Sequence, residues 1–308
     1  MAFFFGHRDN ACSRRLSRWA LCALLLNLIC SATWAAQSAP IGIVAAENFY
    51  ADVAAQIGGS AVHVQSVLNS PAQDPHLFEV TPSAARAITG ARIVIYNGID
   101  YDPWMSKLLT AAPTPGQQRI EVATLLGRNT GDNPHLWYNP KTMPLLARAL
   151  ANSLASIDPA QRASYQQYVE QFDESMQPIQ EKIAALRMRF AGTAVAATEP
   201  VLNELLDAIG LVVKERAFQT AVMNNTEPTA SQLAQFETDL SRRQVQLLIY
   251  NQQSGGPLVE HMRALAQASH IPVLGVTETE PDGLHYQQWL LRVLTAIDQA
   301  LSAVKGHA

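Results

Sequence analysis

Short apolar runs of strand type alternate along the chain with longer stretches of helical spacing. Residues 41–46, 62–68 and 92–97 (RIVIYN) are compact, β-branched runs, and 120–123 is a fourth strand candidate. Between them, 48–57 has a helical pattern that stops at Gly58-Gly59, and 82–88 has one that stops at Gly90. Residues 140–157 predict a further helix. A second alternation follows: strands at 193–197, 211–213, 246–250 and 272–276, and helices at 200–209, 229–241, 257–269 and 286–304, with Thr229 a candidate N-cap. Strand–helix–strand order of this kind predicts an α/β fold class with mostly parallel sheets in two lobes. No short sequence repeat is evident, only this coarse duplication.

The stretch 159–190 has no glycine and one proline, Pro178, with Tyr165, Tyr168, Val169, Phe172, Met176, Ile179, Ile183, Leu186 and Phe190 close to helical spacing. It predicts one long rigid helix joining the lobes, reaching roughly 45 Å over 30 residues and bending near Pro178. The expected organisation is an N-terminal lobe at 36–157, a connecting helix at 158–190 and a C-terminal lobe at 191–308.

The first 35 residues change the picture of where this chain works. Arg8, Arg14, Arg15 and Arg18 precede a mostly apolar run at 19–32, and Thr33-Trp34-Ala35 places small residues for a cut after Ala35. That is a cleavable export signal; the apolar run is shorter than the ~20 residues a transmembrane helix needs. All three cysteines (Cys12, Cys22, Cys30) precede the cut, so the mature chain has no disulfide, thiolate ligand or cysteine nucleophile. Ile29 before Cys30 argues against lipidation. Residues 1–35 carry four Arg and one Asp, so their removal takes the net charge from −4 to −7. An acidic chain offers no footprint for nucleic acid and suits a cation.

The candidate chemistry lies in two Pro-His pairs. Asp74-Pro75-His76-Leu77-Phe78-Glu79 and Asn133-Pro134-His135-Leu136-Trp137-Tyr138 each put an imidazole directly after a proline, in a loop at a strand or helix end. One such histidine alone reads as an ordinary surface or hydrogen-bonded residue; two in matching contexts read as ligands. Asp74 and Asn133 are expected to fix these loops by Asx-type hydrogen bonds. In the second half, Glu199 follows a strand and precedes Pro200, and Glu278, Glu280 and Asp282 follow the strand at 272–276. Two imidazoles and two carboxylates closing on one ion suit zinc, manganese or iron. Four protein ligands leave no open position for an activated water, which points to binding rather than catalysis. HExxH, GxSxG and P-loop patterns are all missing from the sequence.

At these residues the chain resembles the metal-binding (zinc/manganese) solute-binding proteins of bacterial ABC importers. DPHLFEVTPSAARAI is similar to that family's first ligand segment, NPHLWYNP to its second, ATEPVLNELLDAIGL to its third and IPVLGVTETEP to its last; ARIVIYNGIDYDPWMSKLL and NTEPTASQL resemble two intervening segments. The resemblance implies metal in a cleft between the lobes, ligated by His76, His135, Glu199 and Glu278, with Glu280 or Asp282 as alternatives to Glu278. It implies a periplasmic receptor, expected to be a monomer, that delivers its metal to an inner-membrane permease with its ATPase. Two departures weaken zinc relative to manganese: Glu in place of His at the third position, and no His-rich loop in 112–132. Glu47, at the start of the first helix, is an additional ligand candidate beside its reading as a first-turn acid, and His285 a candidate for an outer contact. Two competing functions remain open at this point: a metal-dependent hydrolase using the same ligands, and a receptor for a siderophore- or haem-type chelate on a similar fold.

Overall fold

A computed structural model describes residues 1–4, 39–70, 78–224 and 226–305. The apolar run of the export signal and His76 lie outside the described residues. Among the described residues, all secondary structure lies in the compact unit Pro40–Ala308.

β1 (Ile41–Glu47) reads IGIVAAE and its last five residues are buried. A strand covered on both faces has no reason to alternate, hence the continuous apolar run. It pairs in parallel with β2 (Val62–Leu68) and β3 (Ile93–Tyr96), and β3 pairs in parallel with β4 (Gln118–Glu121), giving the order β2-β1-β3-β4. β5 (Ala194–Ala197), β6 (Val212–Val213), β7 (Leu248–Asn251) and β8 (Val273–Val276) repeat the pattern as β6-β5-β7-β8, again all parallel. The coarse duplication in the sequence is thus a repeated topology. In each sheet the chain winds first to one side and then to the other, so a crevice opens at the carboxyl ends between β1 and β3, and between β5 and β7. Open α/β sheets place ligands at such points.

Parallel pairing requires crossovers. In the first lobe these are α1 (Asn48–Gly58), α2 (Pro82–Gly90) and α3 (Pro103–Ala111), followed by a short α4 (Val122–Leu125) and by α5 (Thr142–Ile157). Thr81 caps α2 by accepting from the Ala84 N–H, with Pro82 in the first helical position. The fourth strand sits two residues earlier than the sequence suggested, because Val122 and Ala123 turn into α4. After the connector come α8 (Asn203–Ile209), α9 (Arg216–Met223), α10 (Ala230–Ser241), α11 (Pro257–Ala268) and α12 (Tyr286–Lys305). Thr229 and Gln232 form a reciprocal capping box at α10. Helices α3 and α9 were not anticipated.

The connector is two helices rather than one. After a 3-10 turn at Pro159–Gln161, α6 (Arg162–Ser175) and α7 (Gln177–Phe190) meet at Met176. Pro178 lies in the first turn of α7, where its missing N–H is not needed. The break therefore falls just ahead of the proline.

A single apolar cluster runs through both lobes. It joins Ile43, Phe49, Ile95, Trp137 and Leu146 to Val195, Leu202, Ile249, Tyr286, Trp289 and Leu294. Smaller clusters back each sheet, around Val44, Ile88 and Met105 in one lobe and Phe218, Phe236 and Met262 in the other. Lobes that share a core cannot swing far apart without exposing it, so motion at the crevice is restricted to its lining.

Candidate metal centre

The carboxyl ends of the strands carry the polar residues. In the second lobe Ala197 pairs with Ile249, so two residues further on Glu199 faces Asn251, and the Asn251 Nδ2 donates to Glu199 Oε2 at 3.0 Å. Asn251 is in turn aligned with Val276. Beyond Val276 the chain brings back Glu278, whose Oε1 accepts from the same Nδ2 at 2.5 Å. Both acids follow a strand by two residues in a Thr-Glu step, and both are buried. The Glu278 loop is fixed further by Gln253, whose Oε1 accepts from the N–H groups of Glu278 (2.5 Å) and Thr279 (3.2 Å).

The first lobe supplies His135. Its backbone N–H and its Nδ1 both approach Asn133 Oδ1, at 3.2 and 2.7 Å, while Asn133 Nδ2 donates to Pro200 O at 3.0 Å. Two donors on one end and a carbonyl on the other fix the amide orientation. The imidazole therefore carries its proton on Nδ1 and its lone pair on Nε2. Nε2 lies 3.8 Å from Glu278 Oε2, and the Tyr101 hydroxyl donates to that same oxygen at 2.9 Å. Ligand atoms about 2.1 Å from one ion can stand at most about 4.2 Å apart, and this pair satisfies that limit. Among the described residues no three His, Cys, Asp or Glu side chains form a group that could hold an ion. Of the candidate ligands, His135 and Glu278 stand together, with Glu199 tied to Glu278 through Asn251.

The His135 loop also binds the lobes together beside each acid. Asn133 reaches Pro200, next to Glu199, and the Tyr138 hydroxyl reaches Thr277 O, next to Glu278, at 2.8 Å. Trp137, fully buried, stacks on Phe49 at 4.8 Å between centroids and meets the His135 ring edge-on at 5.3 Å. Trp137 and Tyr138 are both fully buried and pack the loop that carries His135.

The remaining acid candidates separate. Glu280 is buried, but its backbone is held by Asn48 through two hydrogen bonds (2.7 and 3.0 Å); burial, reinforced by Asp52, pushes its carboxyl up to about 9. Asp282 is exposed. His285 is mostly exposed and its Nδ1 pairs with Asp52 Oδ1 at 2.6 Å, on α1 rather than at the His135–Glu278 pair. Glu47 ends β1, is fully buried, and neither of its carboxylate oxygens has a hydrogen-bond partner among the described residues. Burial, then the charge of Asp102, hold it well above the ordinary carboxylate range. Leaving a buried polar group without a partner is costly, and burial offsets part of that cost by favouring the neutral acid at the carboxyl end of β1.

Asn97, Tyr101 and Asn251 were not anticipated as part of this site. Asn97 follows β3 as Asn251 ends β7; it accepts from the Tyr50 hydroxyl (2.6 Å) and donates to Pro134 O (2.9 Å), bracing the His135 loop. A signal was present: Ile95-Tyr96-Asn97 and Ile249-Tyr250-Asn251 are the same tripeptide. It acquires meaning only once the two strands are known to occupy equivalent places in two sheets. The turn after Asn97 requires Gly98, with φ +82° and a Cβ position only 2.4 Å from Glu121 Oε1. Its N–H and that of Asn97 donate to Asp102 (2.8 and 2.7 Å), which sets Tyr101 against Glu278.

Known proteins share this architecture. The manganese ABC transporter substrate-binding lipoprotein scaA of Streptococcus gordonii is 26% identical over 152 residues, 45% of this chain and about half (49%) of that relative. A putative metal-binding protein of Treponema pallidum is 21% identical over 84% of this chain and 87% of its own length. The solved periplasmic zinc binding protein TroA of Treponema pallidum superposes with a TM-score of 0.72 at 16% identity, over 85% of this chain and 99% of that one. The binding protein FpvC of Pseudomonas aeruginosa, solved with Mn2+, gives 0.69 at 18% identity, over 85% and 98%. The family described as zinc-uptake complex component A, periplasmic, matches residues 43–300, and the chain belongs to it.

Proposed function

We propose that this protein is an extracytoplasmic receptor that captures one divalent transition metal in the crevice between its lobes and delivers it to the permease and ATPase of an ABC importer. The observation that carries the reading is the His135–Glu278 pair. A buried imidazole lone pair and a buried carboxylate oxygen, one from each lobe, stand 3.8 Å apart, within the span of one ion's ligands and too far for a good hydrogen bond. His76 and Glu199 complete the set of four. Neutral imidazoles and ionised acids bind a divalent ion with release of protons, so uptake weakens as the pH falls through the histidine range near 6.5. With four protein ligands no coordination position is left for an activated water, and the protein acts as a carrier rather than a hydrolase. Zinc and manganese are the cargo candidates, with iron a third, and the receptor works as a monomer in the periplasm after its signal peptide is removed.

The test is titration of chelator-stripped protein with zinc and with manganese, for the wild type, His135→Ala and His76→Ala. Loss of one ligand is expected to weaken binding by at least tenfold, on the order of the effects seen at such centres. Undiminished affinity in both variants overturns the reading.

A further inference from the structure

The last torsion of a glutamate side chain is broad, so rotamer preference alone does not fix the plane of its carboxylate. The plane of Glu278 is set by what touches its two oxygens. Oε1 accepts from Asn251 Nδ2 at 2.5 Å, within the second lobe. Oε2, the oxygen 3.8 Å from His135 Nε2, accepts from the Tyr101 hydroxyl at 2.9 Å, and Tyr101 belongs to the first lobe. One bond on each oxygen fixes the plane and turns Oε2 toward the imidazole. A carboxylate oxygen has two acceptor directions, so the phenol takes one on Oε2 and leaves the other for an ion.

The backbone that delivers Tyr101 is unusual. Gly98, Ile99 and Asp100 are three consecutive residues of positive φ, at +82°, +43° and +65°. For a β-branched residue such as Ile99 this region is strongly disfavoured. The turn is held by Asp102, which accepts from the N–H groups of Asn97 and Gly98, and by the Tyr101 N–H, which donates to Gly98 O at 3.2 Å. Such backbone strain persists where the surrounding structure over-determines it, and it gathers at functional sites. The Tyr101 ring is buried, 4.8 Å from Trp137 and 6.0 Å from His135 between centroids. Tyr138 and Tyr286 also send hydroxyls across the lobes, but theirs end on the backbone carbonyls of Thr277 and Trp137. The Tyr101 hydroxyl ends on the side chain of a candidate ligand.

We propose that Tyr101 is a positioning residue for the ion: by donating from the first lobe to Glu278 Oε2 in the second, it sets the orientation of that carboxylate and with it the affinity of the centre. This rests on the metal-receptor reading of the same site. The experiment is a double-mutant cycle on chelator-stripped wild type, Tyr101→Phe, Glu278→Ala and the double variant. Each is titrated with zinc against a competing chelator, and each is unfolded in urea without metal. Phenylalanine keeps the buried ring and removes only the hydroxyl. Tyr101→Phe is expected to weaken zinc binding by about tenfold or more, the usual effect of losing a partner that orients a ligand. In the Glu278→Ala background the same change is expected to cost less than about threefold, because the group it acts through is gone. A loss below about threefold in the wild-type background, or equal losses in both backgrounds, overturns the assignment. A tyrosine that serves only the fold would lower the urea midpoint and leave the cycle additive. If Glu278→Ala binds zinc too weakly to titrate, Glu278→Asp takes its place, since its shorter side chain draws the carboxylate away from the hydroxyl. A wild type that takes up no ion fails at the receptor reading itself, before any variant is compared.

Discussion

Replacing Asn133 tests the logic of the site without touching a ligand. Its Oδ1 holds the His135 Nδ1 at 2.7 Å and so sets both the tautomer and the direction of the ring. Asn133→Ala leaves the imidazole free to rotate or to carry its proton on Nε2, where it cannot bind a metal. Such orienting partners are worth about 10–100-fold in affinity, or about 1.4–2.7 kcal/mol. The substitution also removes the bond from Nδ2 to Pro200 O, which would loosen the Glu199 loop by a different route. Asn133→Asp separates the two: it keeps an acceptor for Nδ1 and loses the donor to Pro200. Competition titration of stripped protein at pH 8, above the histidine range, is the assay. Asn133→Ala is expected to bind 10–100-fold more weakly and Asn133→Asp to recover most of that loss. Wild-type affinity in Asn133→Ala, or an Asn133→Asp as weak as the alanine variant, refutes the argument that imidazole orientation is what Asn133 supplies.

Trp137→Ala should cost about 3–5 kcal/mol, a large share of the ~5–15 kcal/mol of a typical domain, because the ring is fully buried against Phe49, Tyr101, His135 and Tyr138; denaturant unfolding measures this, and a loss below ~1 kcal/mol would contradict a core shared by the lobes. Asp102 gives a pH effect of defined sign. Burial raises its carboxyl to about 7 against the hydrogen bonds from Asn97 and Gly98, so its contribution is full below the unfolded value near 4 and is lost as pH rises through about 7. Wild-type stability relative to Asp102→Asn should therefore fall between pH 4 and 7, by up to ~1.4 kcal/mol per pH unit; a difference in urea midpoints that stays flat over that range speaks against a protonated Asp102.

Periodicity and punctuation alone determined that this chain is α/β with parallel sheets. Buried parallel strands need continuous apolar runs, and crossover helices need caps such as Thr81 and Thr229; both are local properties written in consecutive residues. The Pro-His pair at 134–135 and the acids at 199 and 278 were legible for the same reason: each follows a strand or a proline that fixes its place. What the sequence left undecided was which polar residues meet. Asn251 stands 52 residues from Glu199 and 27 from Glu278, and Tyr101 177 from the carboxylate it touches; no local pattern encodes those contacts, only the register of β5, β7 and β8 and the packing of one lobe on the other. Which of Glu278, Glu280 and Asp282 stands beside His135 was likewise a tertiary matter. All three follow one strand, but Asn48 on α1 holds the backbone at 280, Asp282 faces solvent, and Glu278 alone comes to the His135 nitrogen, because folding places that one loop position across the crevice from the other lobe.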